Sequence, residues 1–170
     1  MEETVVVPFV DLHKRDNEYA NELLDLLSDF MSEGQYIGGP RLELFEESFA
    51  SFVGSSYCVG VGNGLDALKL IFLALGIGPG DEVIVPAQTF IATWLAVIQV
   101  GATPVSVDVE VDTGNIDPIL VKDAIGPKTR AVVAVHLHGR PAQLLDLFDI
   151  CQAKGVYLVE DAAQAHGANF

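Results

Sequence analysis

A chain of 170 residues that is 50% hydrophobic and 19% charged can bury the core of one domain and is not a disordered segment. Its formal net charge of -15 argues against nucleic acid or an anionic membrane as partner, and against a highly anionic substrate unless backbone dipoles bind it. Cys58 and Cys151, the only cysteines, make neither a disulfide framework nor a metal knuckle; with no basic start and no apolar run near the ~20 residues a bilayer needs, a cytoplasmic domain is expected.

In chain order, residues 1–15 read as an arm, with Val5-Val6-Val7, then Pro8, then a polar stretch from Asp11 to Arg15. Asp16 to Glu33 is expected as an amphipathic helix with Leu23, Leu27 and Phe30 on one stripe and Gly34 at its end. Gly38-Gly39-Pro40 makes a tight connection into a second helix, about Arg41 to Val53, that presents Leu44, Phe45, Phe49 and Phe52. From there strands and helices alternate. Strands are expected at Tyr57–Val61, Glu82–Val85, Thr103–Val107, Arg130–Val135 and Val156–Val159. The helices between them run from Gly64 toward Gly76, from Gln88 to Val100, from an Asp117 cap and Pro118 toward Gly126, and from Pro141 toward Gly155. Such alternation implies a mostly parallel sheet with helices on both faces. The expected organisation is 1–54 for arm and helices and 55–170 for the α/β domain. Ala168-Asn169-Phe170 follows the last strand with no finishing helix, as expected of part of a larger protein.

Four strand ends carry polar or glycine-rich segments, and in an open α/β sheet that edge binds ligands. The loop Gly60-Val61-Gly62-Asn63-Gly64-Leu65-Asp66 lies between a strand and a helix. It departs from a dinucleotide fingerprint at Leu65, and Asp81 and Glu82 precede the second strand instead of ending it. It is either a mononucleotide-like phosphate cradle or a tight turn, with Asp66 favourable at the helix start and able to anchor the loop. After the next strand come Phe90 and Trp94, one helical turn apart; Trp94 reads as core, while Phe90 could wall a planar ligand. His136 and His138 end a strand on one face by period two. With Asp161 or His166 they could ligate zinc or iron, although structural histidines are commoner. Finally, Glu160 and Asp161 should point to opposite faces; Glu160 reads as a cap or a solvated acid. A cradle, an aromatic wall and a lone buried carboxylate at Asp161 together suit pyridoxal phosphate, whose ring nitrogen requires an acid partner.

The chain resembles the fold type I, pyridoxal-phosphate-dependent aminotransferases that act on nucleotide-linked keto sugars, the DegT/DnrJ/StrS type. The resemblance rests on Tyr36-Ile37-Gly38-Gly39-Pro40, Gly62-Asn63-Gly64-Leu65-Asp66-Ala67-Leu68, Gln88-Thr89-Phe90-Ile91-Ala92-Thr93 and Glu160-Asp161-Ala162-Ala163-Gln164-Ala165-His166-Gly167. It implies the large cofactor-binding domain of that fold, incomplete here. It implies that Asp161 pairs with the pyridine nitrogen, Gln164 contacts the ring hydroxyl and Phe90 stacks on the ring. Gly64 and Leu65, with Asp66 nearby, would receive the phosphate. It further implies a cytoplasmic homodimer in amino sugar biosynthesis that moves an amino group from glutamate to the keto sugar of a nucleoside-diphosphate sugar. Gln164 and Thr93-Trp94 lean toward a 3-keto over a 4-keto sugar.

Three departures stand out. His138 and Leu65 occupy positions where the family often has Tyr and a small hydroxyl residue. The Schiff-base lysine, by resemblance some ~20 residues past the aspartate motif, is absent from this chain: Lys14, Lys69, Lys122, Lys128 and Lys154 all precede Asp161. The chain by itself is therefore expected to be an inactive piece of an active parent. A non-enzymatic regulator on the same fold, and a metal-dependent enzyme using His136, His138 and Asp161, stand as alternatives.

Overall fold

The computed structural model describes residues 7–8 and 12–169, and within the first helix the side chains from Tyr19 onward. The arm expected over residues 1–15 falls largely outside that range. Two compact units divide between Ser48 and Phe49.

The first unit is helical, with α1 (Leu12–Glu33) and most of α2 (Pro40–Val53). Helix α1 begins ahead of the expected Asp16. Pro40 opens α2, where its missing N–H costs nothing. Arg41 donates two hydrogen bonds to Glu33, at 2.8 and 2.7 Å. Those bonds hold the Glu33 carboxyl below the ordinary carboxylate range and raise the Arg41 guanidinium above its own. Phe30 meets Tyr36 edge to face, with ring centroids 5.4 Å apart. Leu23, Leu27, Leu44 and Phe45 stay exposed.

The second unit is a parallel sheet covered on both faces. Strands β1 (Glu82–Pro86), β2 (Thr103–Val107), β3 (Thr129–Val135) and β4 (Tyr157–Asp161) run in the order β2-β1-β3-β4. Ile84 sits beside Val105 on one side and Val132 on the other, and Val133 beside Val159. Alternation along the strands splits the core into two layers. Val83, Val85, Val133 and Val159 pack with residues of α3 (Gly64–Ala74) and α4 (Ile91–Gln99), among them Phe72 and Val97. Ile84, Val132 and Ala134 pack on the other face with α5 (Pro118–Ala124) and α6 (Leu144–Lys154), through Val121 and Leu147. Each fully buried Val, Ile, Leu or Phe side chain among these contributes about 1.5–3 kcal/mol.

Local chemistry sets the helix ends. The Asp117 carboxylate accepts the Ile119 N–H at 2.8 Å, and Pro118 follows at the first helical position. Gly155 ends α6 in the left-handed conformation, φ 67°.

Three expectations are corrected. Tyr57–Val61 is no strand: among the described residues it joins no ladder of the sheet, and Tyr57 and Val59 are 87% and 76% exposed. β-propensity is local, whereas a strand exists only where a neighbour completes its ladder. Helix α4 starts at Ile91, not Gln88, because Ala87–Thr89 bend away from β1 first. Helix α6 starts at Leu144, not Pro141; the Ala142 N–H is held outside the helix by the ring of His136. Among the described residues no helix is long and apolar enough to cross a membrane.

Candidate functional site

The chain passes from β1 to β2 on one side and then to β3 on the other. At such a reversal a crevice opens beyond the strand C-termini. There lies a cavity of about 560 Å³, and Gly64, Leu65, Phe90, Asp161 and Gln164 all line it. Asp161 is its one acid, and no lysine or arginine lines it among the described residues.

The glycine-rich turn before α3 is shaped by a reciprocal cap. Asn63 is extended, its Oδ1 accepts the Asp66 N–H at 2.9 Å, and its Nδ2 donates to Asp66 Oδ2 at 2.9 Å. Ala67 N–H is satisfied by the Asn63 carbonyl at 3.0 Å. The N–H groups of Gly64 and Leu65, the first two of α3, have no acceptor within the helix. Gly64 and Leu65 both line the cavity, and a side chain at Gly64 would meet nothing within 4 Å. The Asp66 carboxylate is turned toward Asn63 and Gly62, not into the cavity; a Cβ on Gly62 would lie 3.2 Å from it.

On the facing side, β4 delivers Asp161 by the same alternation that puts Val159 in the α3/α4 layer and Leu158 in the other. Asp161 therefore opens to the cavity and Glu160 does not. Its Oδ2 accepts from Thr93 Oγ1 at 3.1 Å and its Oδ1 from the Ala163 N–H at 3.3 Å. Asp161, expected as a buried carboxylate, is half-buried, because it ends a strand at the cavity mouth. Phe90, 74% exposed, stands at the head of α4 on the rim. Gln164 Oε1 accepts the His138 N–H at 2.9 Å, which leaves the amide NH₂ as the donor end of that side chain.

Residues 17–170 match the model of the DegT/DnrJ/EryC1/StrS aminotransferase family. The chain belongs to this family. It is 48% identical over 168 residues to the dTDP-3-amino-3,4,6-trideoxy-alpha-D-glucose transaminase of Streptomyces venezuelae, covering 99% of this chain and 44% of that protein. The solved structure of S. venezuelae DesV in complex with a ketimine intermediate superposes with TM-score 0.93 at 48% identity, over 96% of this chain and 44% of that one. NtdA from Bacillus subtilis, solved with bound cofactor PMP, gives TM-score 0.93 at 34% identity, over 98% of this chain and 38% of that one. The chain thus spans less than half the length of these relatives.

Within this family member the two histidines separate. His136 is 4% exposed; its Nδ1 accepts the Ala142 N–H at 3.1 Å, so the ring proton belongs on Nε2, which faces Glu160 Oε2 at 3.2 Å. Both ring nitrogens are thereby committed. His138 turns away at φ 58°, the only non-glycine residue with positive φ among the described residues. His166 packs edge to face on Phe49, centroids 5.6 Å apart. The metal set of His136, His138 and Asp161 is therefore not assembled, and among the described residues no three His, Cys, Asp or Glu side chains converge. Glu160 is exposed, as expected of a solvated acid, and in addition faces His136 Nε2 at 3.2 Å. Trp94 packs against the α3/α4 layer and donates its indole N–H to the Pro86 carbonyl at 3.2 Å.

Two supporting contacts escaped the sequence reading. Thr93, read there only as part of a motif and a substrate lean, is fully buried and donates to Asp161. Asn115, 2% exposed, donates to the Arg140 and Pro141 carbonyls at 3.0 and 3.2 Å and accepts the Leu137 N–H at 3.3 Å. It fastens the loop that carries His136 and His138. The adjacent Gly114 is a turn signal, but nothing local marks a partner more than twenty residues away.

Proposed function

We propose that this chain is the cofactor-holding part of a pyridoxal-phosphate-dependent aminotransferase that moves an amino group from glutamate to a nucleoside-diphosphate keto sugar. What carries this reading is the convergence on one cavity of an acid, an aromatic rim, an amide donor and two uncapped helical N–H groups. The residues fit the group: Gly64 and Leu65, at the N-terminus of α3, line the cavity, and their free helical N–H donors suit a phosphate. The single cavity acid suits a protonated ring nitrogen.

When bound, the cofactor supplies an electron sink conjugated to the carbon that carries the amino group. The chain's own residues do the rest. Asp161 holds the proton on the pyridine nitrogen, with its carboxylate fixed by Thr93 and Ala163. The Gln164 amide donates to the ring oxygen. Phe90 covers the ring and keeps water from that face. Asp66 keeps the cradle in shape through Asn63. Since no lysine lines the cavity among the described residues, these residues hold the cofactor by noncovalent contacts.

The name of the S. venezuelae relative supports a sugar aminated at C3, and hence a 3-keto substrate. The exposed apolar side chains of the helical unit, Leu23, Leu27, Leu44 and Phe45, support a homodimer. The lack of any cysteine framework agrees with a cytoplasmic enzyme.

The test is titration of the protein with pyridoxamine 5′-phosphate, which needs no covalent anchor, followed by the ligand's fluorescence. Saturable binding is expected, lost in Asp161→Ala and weakened in Gln164→Ala. Absence of saturable binding by the unsubstituted protein would sink the proposal.

A further inference from the structure

We propose that Thr93, backed by Thr89, is a positioning residue that fixes the Asp161 carboxylate for the cofactor ring; this deepens the reading above and rests on it. Three oxygens line up: Thr89 Oγ1 lies 3.0 Å from Thr93 Oγ1, which lies 3.1 Å from Asp161 Oδ2. A hydroxyl has one proton to give. The carboxylate can only accept from Thr93, so the Thr93 proton is spent there, and Thr89 must donate to Thr93. The chain of donation runs one way, from Thr89 through Thr93 to Asp161.

Its setting gives this relay weight. Thr93 is fully buried on α4, whose other buried residues, Ala96 and Val97, belong to the apolar α3/α4 layer, so an apolar residue of the same shape would pack there as well. A hydroxyl there is useful only for the bond it makes. A hydrogen bond to an ionised acceptor is about twice as strong as a neutral one, and a second donor behind it polarises it further. Position also matters. Thr93 lies in the first turn of α4 and Asp161 at the last residue of β4, so the bond ties the strand end to the helix that carries Phe90 on its rim. The Ala163 N–H holds the other oxygen at 3.3 Å. One donor from each side sets the plane of the carboxylate, and each oxygen retains acceptor capacity for the ring nitrogen.

The experiment compares Thr93→Val, Thr93→Ser and the unsubstituted protein in pyridoxamine 5′-phosphate affinity and in melting temperature. Thr93→Val keeps the shape and deletes the hydroxyl; Thr93→Ser keeps the hydroxyl and deletes a methyl group. Affinity is expected to fall about tenfold in Thr93→Val while its melting temperature holds, and Thr93→Ser should bind within about twofold of the parent. Thr93→Val binding like the parent, or Thr93→Ser binding as poorly as Thr93→Val, would overturn the assignment. So would an affinity loss that merely tracks a fall in melting temperature. If the unsubstituted protein itself fails to bind, the cofactor reading falls and this inference with it, so the two failures are told apart.

Discussion

Glu160 Oε2 sits 3.2 Å from Nε2 of His136, joining the end of β4 to the segment that follows β3. The two partners differ in kind: the imidazole is 5% exposed and the carboxylate 52%. Removing the buried partner should therefore cost much more. His136→Leu leaves the Ala142 N–H without its acceptor and is expected to lose about 1–3 kcal/mol. Glu160→Gln keeps an acceptor oxygen in a solvated position and should cost under about 1 kcal/mol. Urea unfolding of both variants checks this, and equal losses would contradict it.

Asn63 serves both the helix and the cradle. Asn63→Ala is expected to cost about 1 kcal/mol through the lost cap. It should also weaken pyridoxamine 5′-phosphate binding, because the Asp66 carboxylate loses the amide that turns it away from the open donors. Asn63→Asp keeps a capping oxygen but sets two carboxylates against each other. It should therefore lose binding more than stability, as parallel titration and thermal unfolding would reveal.

Asn115 offers a sharper contrast. Its NH₂ faces two carbonyls and its oxygen one N–H, which fixes the amide orientation. Asn115→Ala should cost about 1–3 kcal/mol by leaving a buried N–H without an acceptor. Asn115→Asp is nearly isosteric yet brings an oxygen against the Arg140 and Pro141 carbonyls, and should be at least as damaging near neutral pH. A stable Asn115→Asp protein in denaturant titration would refute this.

Cys151 predicts a pH dependence. Burial against the α5/α6 layer pushes its thiol from 9.0 up to about 11. The folded state therefore keeps the proton where the unfolded chain gives it up. The stability this contributes is complete below about pH 9 and is lost as pH rises toward about 11, by roughly 2–3 kcal/mol in all. The unfolding free energies of the parent and Cys151→Ala should converge across that window. A constant difference would argue against it. In the folded protein, alkylation should reach the half-buried Cys58 first.

Much of this was legible where the physics is local. Asp117-Pro118, Gly155 and the Gly62-Asn63-Gly64 turn each fix a helix end through their own backbone chemistry, and each lies where the sequence places it. Alternation alone assigns Glu160 and Asp161 to opposite faces. The errors have a common origin in nonlocal contacts. Tyr57–Val61 carries strand residues without a neighbouring ladder. His136 and His138 keep a spacing of two, but the backbone reverses at His138, so the spacing no longer means a shared face. Thr93 and Thr89, four apart at the head of a helix, hint at a hydroxyl pair, yet only the folded sheet reveals the carboxylate they serve.

The bond between Thr93 and Asp161 spans 68 positions of sequence. The cavity therefore cannot exist in a partly folded chain that has paired only β1 with β2. It is completed only when β4 docks against β3. Ligand occupancy of this cavity would thus double as a reporter of native topology, since the strand ends that form it must already be joined.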